Sequence, residues 1–251
     1  MNSAIYEYCL RIGDTSLVLA HRLSEWCGHG PILEEDIALQ NMALDLIGQA
    51  RTMLSYAGQI EGEGRDEDEL AFKRDARQFR NLMMAEQPNG DFAKTMTRHF
   101  FLSTYQYYFF NQLVASKDET IKGFAQKAIK EVTYHLRHST DWMLRLGDGT
   151  EESNVRLQEA IDELQQYVDD LFDVDAIDRD LHAQGIGADL EIVKQQWLQK
   201  INEVCTQAKV KFNPVANFTR TGSRKGIHTE HLGYILAEMQ WLPRAYPGTQ
   251  W

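Results

Sequence analysis

The apolar residues of this chain recur every three to four positions, and very little interrupts them. Only 5 prolines and 17 glycines punctuate 251 residues. Residues 33–60 show the pattern most clearly. On a wheel of about 100° per residue, Leu39, Ala43, Leu46, Ile47, Ala50, Met53, Leu54 and Ala57 gather on one broad face. A two-residue period never persists long enough to build a strand ladder, and no tandem repeat is visible. The chain is therefore expected to be all-α.

The same period predicts helices over about 4–27, 33–60, 67–84, 92–115, 118–146, 151–172, 189–210 and 227–246. Gly28, Gly30 and Pro31 stop the first of them. Gly13-Asp14 is a candidate break inside it, with Asp14 placed to cap the second piece. The acidic stretch EGEGRDEDE (61–69) reads as a solvated loop. EQPNGD (86–91) reads as a turn whose Asp91 caps the following helix. Four long helices in the first 146 residues suggest a four-helix bundle with shorter helices appended. No linker-like stretch follows, so one domain over 1–251 is expected, with a core bundle at about 4–146 and added helices at about 151–246. Gly147–Thr150 is its weakest internal boundary.

A formal net charge of -11 repels phosphate backbones and anionic lipid surfaces, which argues against nucleic-acid and membrane partners. The N-terminus shows no basic stretch followed by an apolar one, and no apolar run approaches about 18 residues. Cys9, Cys27 and Cys205 are odd in number and far apart. They read as buried reduced thiols, in keeping with a cytoplasmic location.

The stretch KAIKEVTYHLRHSTDW (127–142) raises the question of a redox metal. Di-iron and di-manganese bundles take one Glu from each of two helices and a Glu-x-x-His pair from each of the other two. That i, i+3 spacing turns carboxylate and imidazole inward together. Here the i+3 partner of Glu131 is Tyr134, and His135 falls one position later. In the second helix the comparable residue is Asp45, whose i+3 position is Gly48. His21 and Glu25 share a face of the first helix. Residues 92–115 contain no Glu, so His99 or Gln106 would have to substitute. The pattern is present in outline and broken in at least three positions. Metal positions reduced to vestiges (His21, Glu25, Asp45, Glu131, His135) would need cations to neutralise them, and Lys127, Lys73, Arg51 and the histidines are available. The plainer alternative makes Lys127–Glu131 an ordinary helical ion pair.

Four stretches are more idiosyncratic than any helix pattern: residues 24–51, 74–93 (RDARQFRNLMMAEQPNGDFA), 130–139 and 220–242 (RTGSRKGIHTEHLGYILAEMQWL). Together they resemble the non-catalytic, structural subunit of the bacterial phenylacetyl-CoA epoxygenases, over almost the whole chain. The resemblance implies a ferritin-like fold and no catalytic residue or cofactor in this chain. It implies a homologous catalytic subunit as partner, whose di-iron site forms the ring-1,2-epoxide of phenylacetyl-CoA with oxygen. It also implies a reductase carrying electrons from NADPH through flavin and an iron–sulfur cluster. Alone, the chain is expected to form a homodimer, since an uncovered apolar face invites a symmetric partner. The alternative is a self-sufficient di-metal oxidase using Glu25, Asp45, Glu131 and His135. A metal-storage protein is disfavoured by the scarcity of carboxylates.

Two surfaces invite a partner. One is the aromatic helix at 92–115, and the other is the C-terminal stretch with Tyr234, Trp241, Tyr246 and Trp251, although aromatics are ordinarily core. A basic patch of Arg220, Arg224 and Lys225, with Gly222 and Gly226, precedes the helix expected from Ile227. It suits a phosphate, such as that of CoA, or an acidic patch on a partner. His228, Glu230 and His231 read as capping and ion-pairing residues.

Overall fold

The computed structural model describes residues 2–213 and 219–249. Among these, every regular element is a helix, so the all-α, ferritin-like class expected from the sequence is the class observed. The chain divides into two compact units, Met1–Pro88 with Gly222–Trp251, and Asn89–Thr221. Gly147–Thr150 lies inside the second unit.

The first unit is built on a helical hairpin, α1 (Asn2–Ser24) and α2 (Leu33–Glu61). Residues 8–20 of α1 are buried without a break. Gly13 and Asp14 do not interrupt it. Gly13 lets the Leu54 side chain of α2 approach the α1 backbone. Asp14 is not a cap: its buried carboxylate is bound by the Arg74 guanidinium and by the Arg80 backbone N–H at 2.8 Å. The apolar face of α2 is the expected one except for Ile47, which lies at its edge and is exposed. Glu34, Glu35 and Asp36 in the first turn suit the positive end of the helix dipole, and left-handed Gly62 ends α2.

The helix expected over 67–84 is shorter than its period predicts. α3 covers Glu67–Phe72, a 3-10 turn covers Ala76–Gln78, and residues 79–88 are irregular although largely buried. The reason is where the backbone groups find partners. Arg80 N–H donates to Asp14, Leu82 N–H to the Thr15 hydroxyl, and the Glu86 carbonyl accepts from Arg22. A continuing helix would have consumed these groups internally. The last helix, α10 (Glu230–Ala245), starts three residues later than expected. The preceding chain makes a 3-10 turn at Ser223–Lys225 and a left-handed Gly226 pressed against the Arg77 carbonyl, where no Cβ fits. α10 packs on α3 and is tied down by Gln240, which donates to the carbonyls of Ala71 and Arg74 at 3.0 and 2.9 Å.

The second unit is a hairpin of α4 (Phe92–Leu113) and α5 (Glu119–Gly147), started by caps at Asp91 and Asp118. The expected helix over 151–172 divides into α6 (Glu151–Leu164), a 3-10 turn and α7 (Val168–Leu171). A further helix, α8 (Ala176–Ala183), has no counterpart in the expected set, and α9 (Leu190–Gln207) completes the unit. The aromatics of α4 are mostly core. Phe101 meets Trp197 of α9 edge-on at 5.4 Å and accepts its indole N–H on the backbone carbonyl at 2.9 Å. Of the three cysteines, Cys9 and Cys205 are buried as expected, but Cys27 is exposed, because it falls in the turn after α1. Burial pushes the Cys205 thiol up to about 12.

The Asp14–Arg74 pair yields a stability prediction. Arg74→Met should destabilise the protein by about 3–5 kcal/mol, because it strands a carboxylate with no exposure. The double replacement Asp14→Leu with Arg74→Met should recover much of that loss. Urea midpoints of the single and double variants measure both.

Candidate functional site

In the first unit, His21, Glu25 and Asp45 occupy the positions named for a metal. Glu25 is exposed and its carboxylate is taken by Arg22 at 2.7 Å, one helical turn back. His21 is half-buried, and burial holds its imidazole below the usual histidine range, opposed by the Glu25 charge. Asp45 is half-buried on α2, and a Cβ at Gly48 would meet open space.

In the second unit, the buried stripe of α5 runs through Ala128, Val132, His135, Ser139 and Met143. Glu131 flanks that stripe and pairs with Lys127 at 3.7 Å, the ordinary helical ion pair. Tyr134 points outward, 39% exposed, with the Arg137 guanidinium 5.7 Å from its ring. His135 is the inward residue of this turn, fully buried, with its ring 5.4 Å from that of His99 on α4. The α4–α5 seam thus sets two imidazoles together, with Ser103 and Ser139 hydroxyls 3.1 Å apart one turn further on. Burial holds His99 well below the usual range, and His135, His138 and Arg98 add to that effect.

Among the described residues, no three His, Cys, Asp or Glu side chains stand together in a way that would hold a metal ion. Two oxygen-activating ions would make a specific demand on donor chemistry. Such ions need bridging carboxylates. The carboxylates of Glu25 and Glu131 carry cations from their own helices, and the seam between α4 and α5 offers imidazoles and hydroxyls. Of the cations expected to neutralise such positions, Lys127 does meet Glu131, whereas Arg51 pairs with Glu67 at 3.0 Å and Lys73 with Glu69. Asp14–Arg74 is a deeply buried pair of the first unit.

The basic patch is divided between the units. In the second, Arg220 donates to the Gln166 side chain at 3.1 Å. In the first, Arg224 is buried and Lys225 exposed. A cleft of about 430 Å³ lies at the start of α10, lined by Arg77, Ile227, His228, Thr229, Glu230 and Gly233. Glu86 already places a buried carboxylate beside that helix start, accepting from the Thr229 N–H at 2.6 Å and the Thr229 hydroxyl at 2.7 Å. This cluster has no local sequence signal, since Glu86 and Thr229 are 143 residues apart. A second cleft, of about 420 Å³, is lined in the second unit by Tyr107, Tyr108, Arg137, Asp141, Lys200 and Glu203. It presents both signs of charge, and Lys200 pairs with Glu203 at 3.6 Å.

The buried His99 yields a pH prediction. The fold holds His99 uncharged, while the unfolded chain takes up a proton below about pH 6.5. Stability is thus fully present above that value and is lost as the pH falls, by at most about 1.4 kcal/mol per pH unit for one proton. Urea unfolding across the acid range should show this slope, and His99→Gln should flatten it.

Along 244 residues the chain is 49% identical to a protein of Escherichia coli (strain K12) named as one of the subunits of 1,2-phenylacetyl-CoA epoxidase, covering 97% of this chain and 98% of that protein. Among the described residues, no helix is long and apolar enough to cross a membrane. The model of the family described as "Phenylacetic acid catabolic protein" matches residues 1–251. The chain therefore belongs to the phenylacetic acid catabolic protein family and has its place in phenylacetate catabolism.

Proposed function

We propose that this chain is a subunit of a multicomponent phenylacetyl-CoA epoxidase that does no oxygen chemistry itself and stabilises the subunit that does. On this reading the di-iron centre belongs to the partner, the electrons come from a separate reductase through flavin and iron–sulfur groups, and the assembly works in the cytoplasm. The near full-length likeness to a protein named as an epoxidase subunit supports the assembly. The observation that carries the silent role is the engagement of the carboxylates: Glu25 is held by Arg22 and Glu131 by Lys127. A self-sufficient oxidase would need both turned inward on metal. The phosphate reading of Arg224 and Lys225 is weakened by the Glu86 carboxylate already seated at the start of α10.

Two exposed apolar stripes of the first unit suit a partner. On α2, Leu33 (72% exposed), Ile37, Leu44 and Ile47 share one side, running outward from the edge of the buried face where Ile47 lies. Their spacing of four, seven and three residues is that of a helix-on-helix seam. On α10, Tyr234 (68%) and Trp241 (62%) lie seven residues apart, with Tyr246 beyond; Trp251 falls outside the described residues. Exposed Trp and Tyr are the residue types that dominate interface energies. The aromatic helix α4, the other surface named from sequence, is mostly buried within its own unit.

Co-expression with the oxygen-activating subunit tests the reading. Wild-type chain should co-purify with it, without stoichiometric iron or manganese of its own, and epoxidation should fall when it is left out. Ile37→Asp with Leu44→Asp, and separately Trp241→Glu, change exposed positions and should leave the fold intact. Loss of a hot-spot contact of about 2 kcal/mol would weaken association roughly thirtyfold. Unchanged turnover without this chain would defeat the proposal.

A further inference from the structure

We infer that His228 and Glu86 form a proton-operated latch that fixes the start of α10 to the irregular segment 79–87. The protonation states follow from hydrogen-bond bookkeeping. The Nε2 of His228 faces the Phe79 carbonyl at 3.0 Å, so it donates. The Nδ1 faces a Glu86 carboxylate oxygen, also at 3.0 Å. That carboxylate already accepts from the Asn81 amide at 2.8 Å and from the N–H and hydroxyl of Thr229 at 2.6 and 2.7 Å. A carboxyl group ringed by donors is ionised and has no proton to give, so Nδ1 donates as well. An imidazole donating from both nitrogens is an imidazolium.

The charged neighbours sit on every element around the pair. Arg22 of α1 donates to the Glu86 carbonyl at 3.1 and 2.8 Å and pairs with Glu25. Arg77 and Arg80 lie on the 76–80 stretch, Arg80 being paired with Glu7 at 3.0 Å. Arg224 and Lys225 lie on the turn before His228, and Glu230 on α10 follows it. The Arg80 guanidinium also donates to the Phe79 carbonyl at 2.9 Å, so a cation stands on the Nε2 side of the ring and the Glu86 carboxylate on its Nδ1 side. The side chains of the pair are 5% and 0% exposed, so salt screens their attraction poorly.

Loss of the proton sets a lone pair against an acceptor and removes one of the two anchors. The sign is fixed: the folded arrangement favours the protonated ring, so the restraint is present on the acid side and lost as pH rises through the titration of His228. The far end of α10 is held by Gln240 and Arg244, neither of which titrates in this range. Deprotonation therefore loosens α10 from its N-terminal end only. Since Tyr234 stands one turn into this helix, the latch sets how firmly that exposed side chain is presented. The inference concerns the fold of this chain and stands whether or not α10 meets a partner.

Histidine ring nitrogen NMR and hydrogen exchange on the full chain test it. At about pH 7 both ring nitrogens of His228, assigned by their absence in His228→Gln, should carry protons. Exchange protection across the first half of α10 should drop about tenfold or more between about pH 7 and pH 9.5, with the second half unmoved. His228→Gln should show the low protection throughout, with no step. A neutral ring at about pH 7 overturns the latch, as do a charged ring with no loss of protection up to about pH 9.5, and an equal step in the variant. The ring measurement needs only the wild-type chain, so it decides the matter if the variant fails to fold.

Discussion

Two charged residues of the buried helix α1 organise the first unit. Asp14 and Arg22 sit two turns apart on a helix whose middle is sealed from water, and each would be costly without a partner. Both partners come from one segment: Arg74 and the Arg80 backbone for Asp14, and the Glu86 carbonyl for Arg22. A segment that must reach α1 at both of these places cannot also close its own helical hydrogen bonds. The irregular path of residues 79–88 is the consequence, and with it the exposure of Phe79 and Glu86 carbonyls to outside donors. α10 then docks against that path through His228, Thr229, Gln240 and Arg244. The polar contacts thus run in sequence from α1 through 74–86 to α10.

The second unit is organised differently, by apolar packing between capped helices. Asp91, Asp118, Thr150, Asp175 and Asp189 each satisfy first-turn N–H groups, so the helix starts are locally determined. The aromatic surface of α4 is absorbed by α5, α6 and α9, with Trp197 anchored to the Phe101 carbonyl. That absorption leaves α2 and α10 of the first unit to carry the conspicuous exposed apolar stripes.

On the proposed reading, the absence of oxygen chemistry has a simple origin. Side chains that would have to turn inward as bridging carboxylates instead satisfy cations one turn away on their own helices. The interior of the α4–α5 seam carries imidazole and hydroxyl groups among its apolar residues, and burial holds His99 uncharged. That reading puts the chain's function on its outer surfaces rather than in its core.

The sequence by itself determined the helical class, the four long helices to within a few residues, and the Asp91 cap. These depend on the 3.6-residue period and on contacts within one turn, which a linear reading can see. It also determined the Lys127–Glu131 pair and the break in the Glu-x-x-His spacing at Tyr134. Three things needed the tertiary structure: Asp14 acting as a buried ion-pair partner instead of a cap, the unwinding of 79–88, and the turning of His135 toward His99. Each depends on groups brought together from separate parts of the chain, 60 residues apart for Asp14 and Arg74 and 64 for Arg22 and the Glu86 carbonyl. Local periodicity carries no record of which buried donor will meet which buried acceptor; only the packed chain decides that.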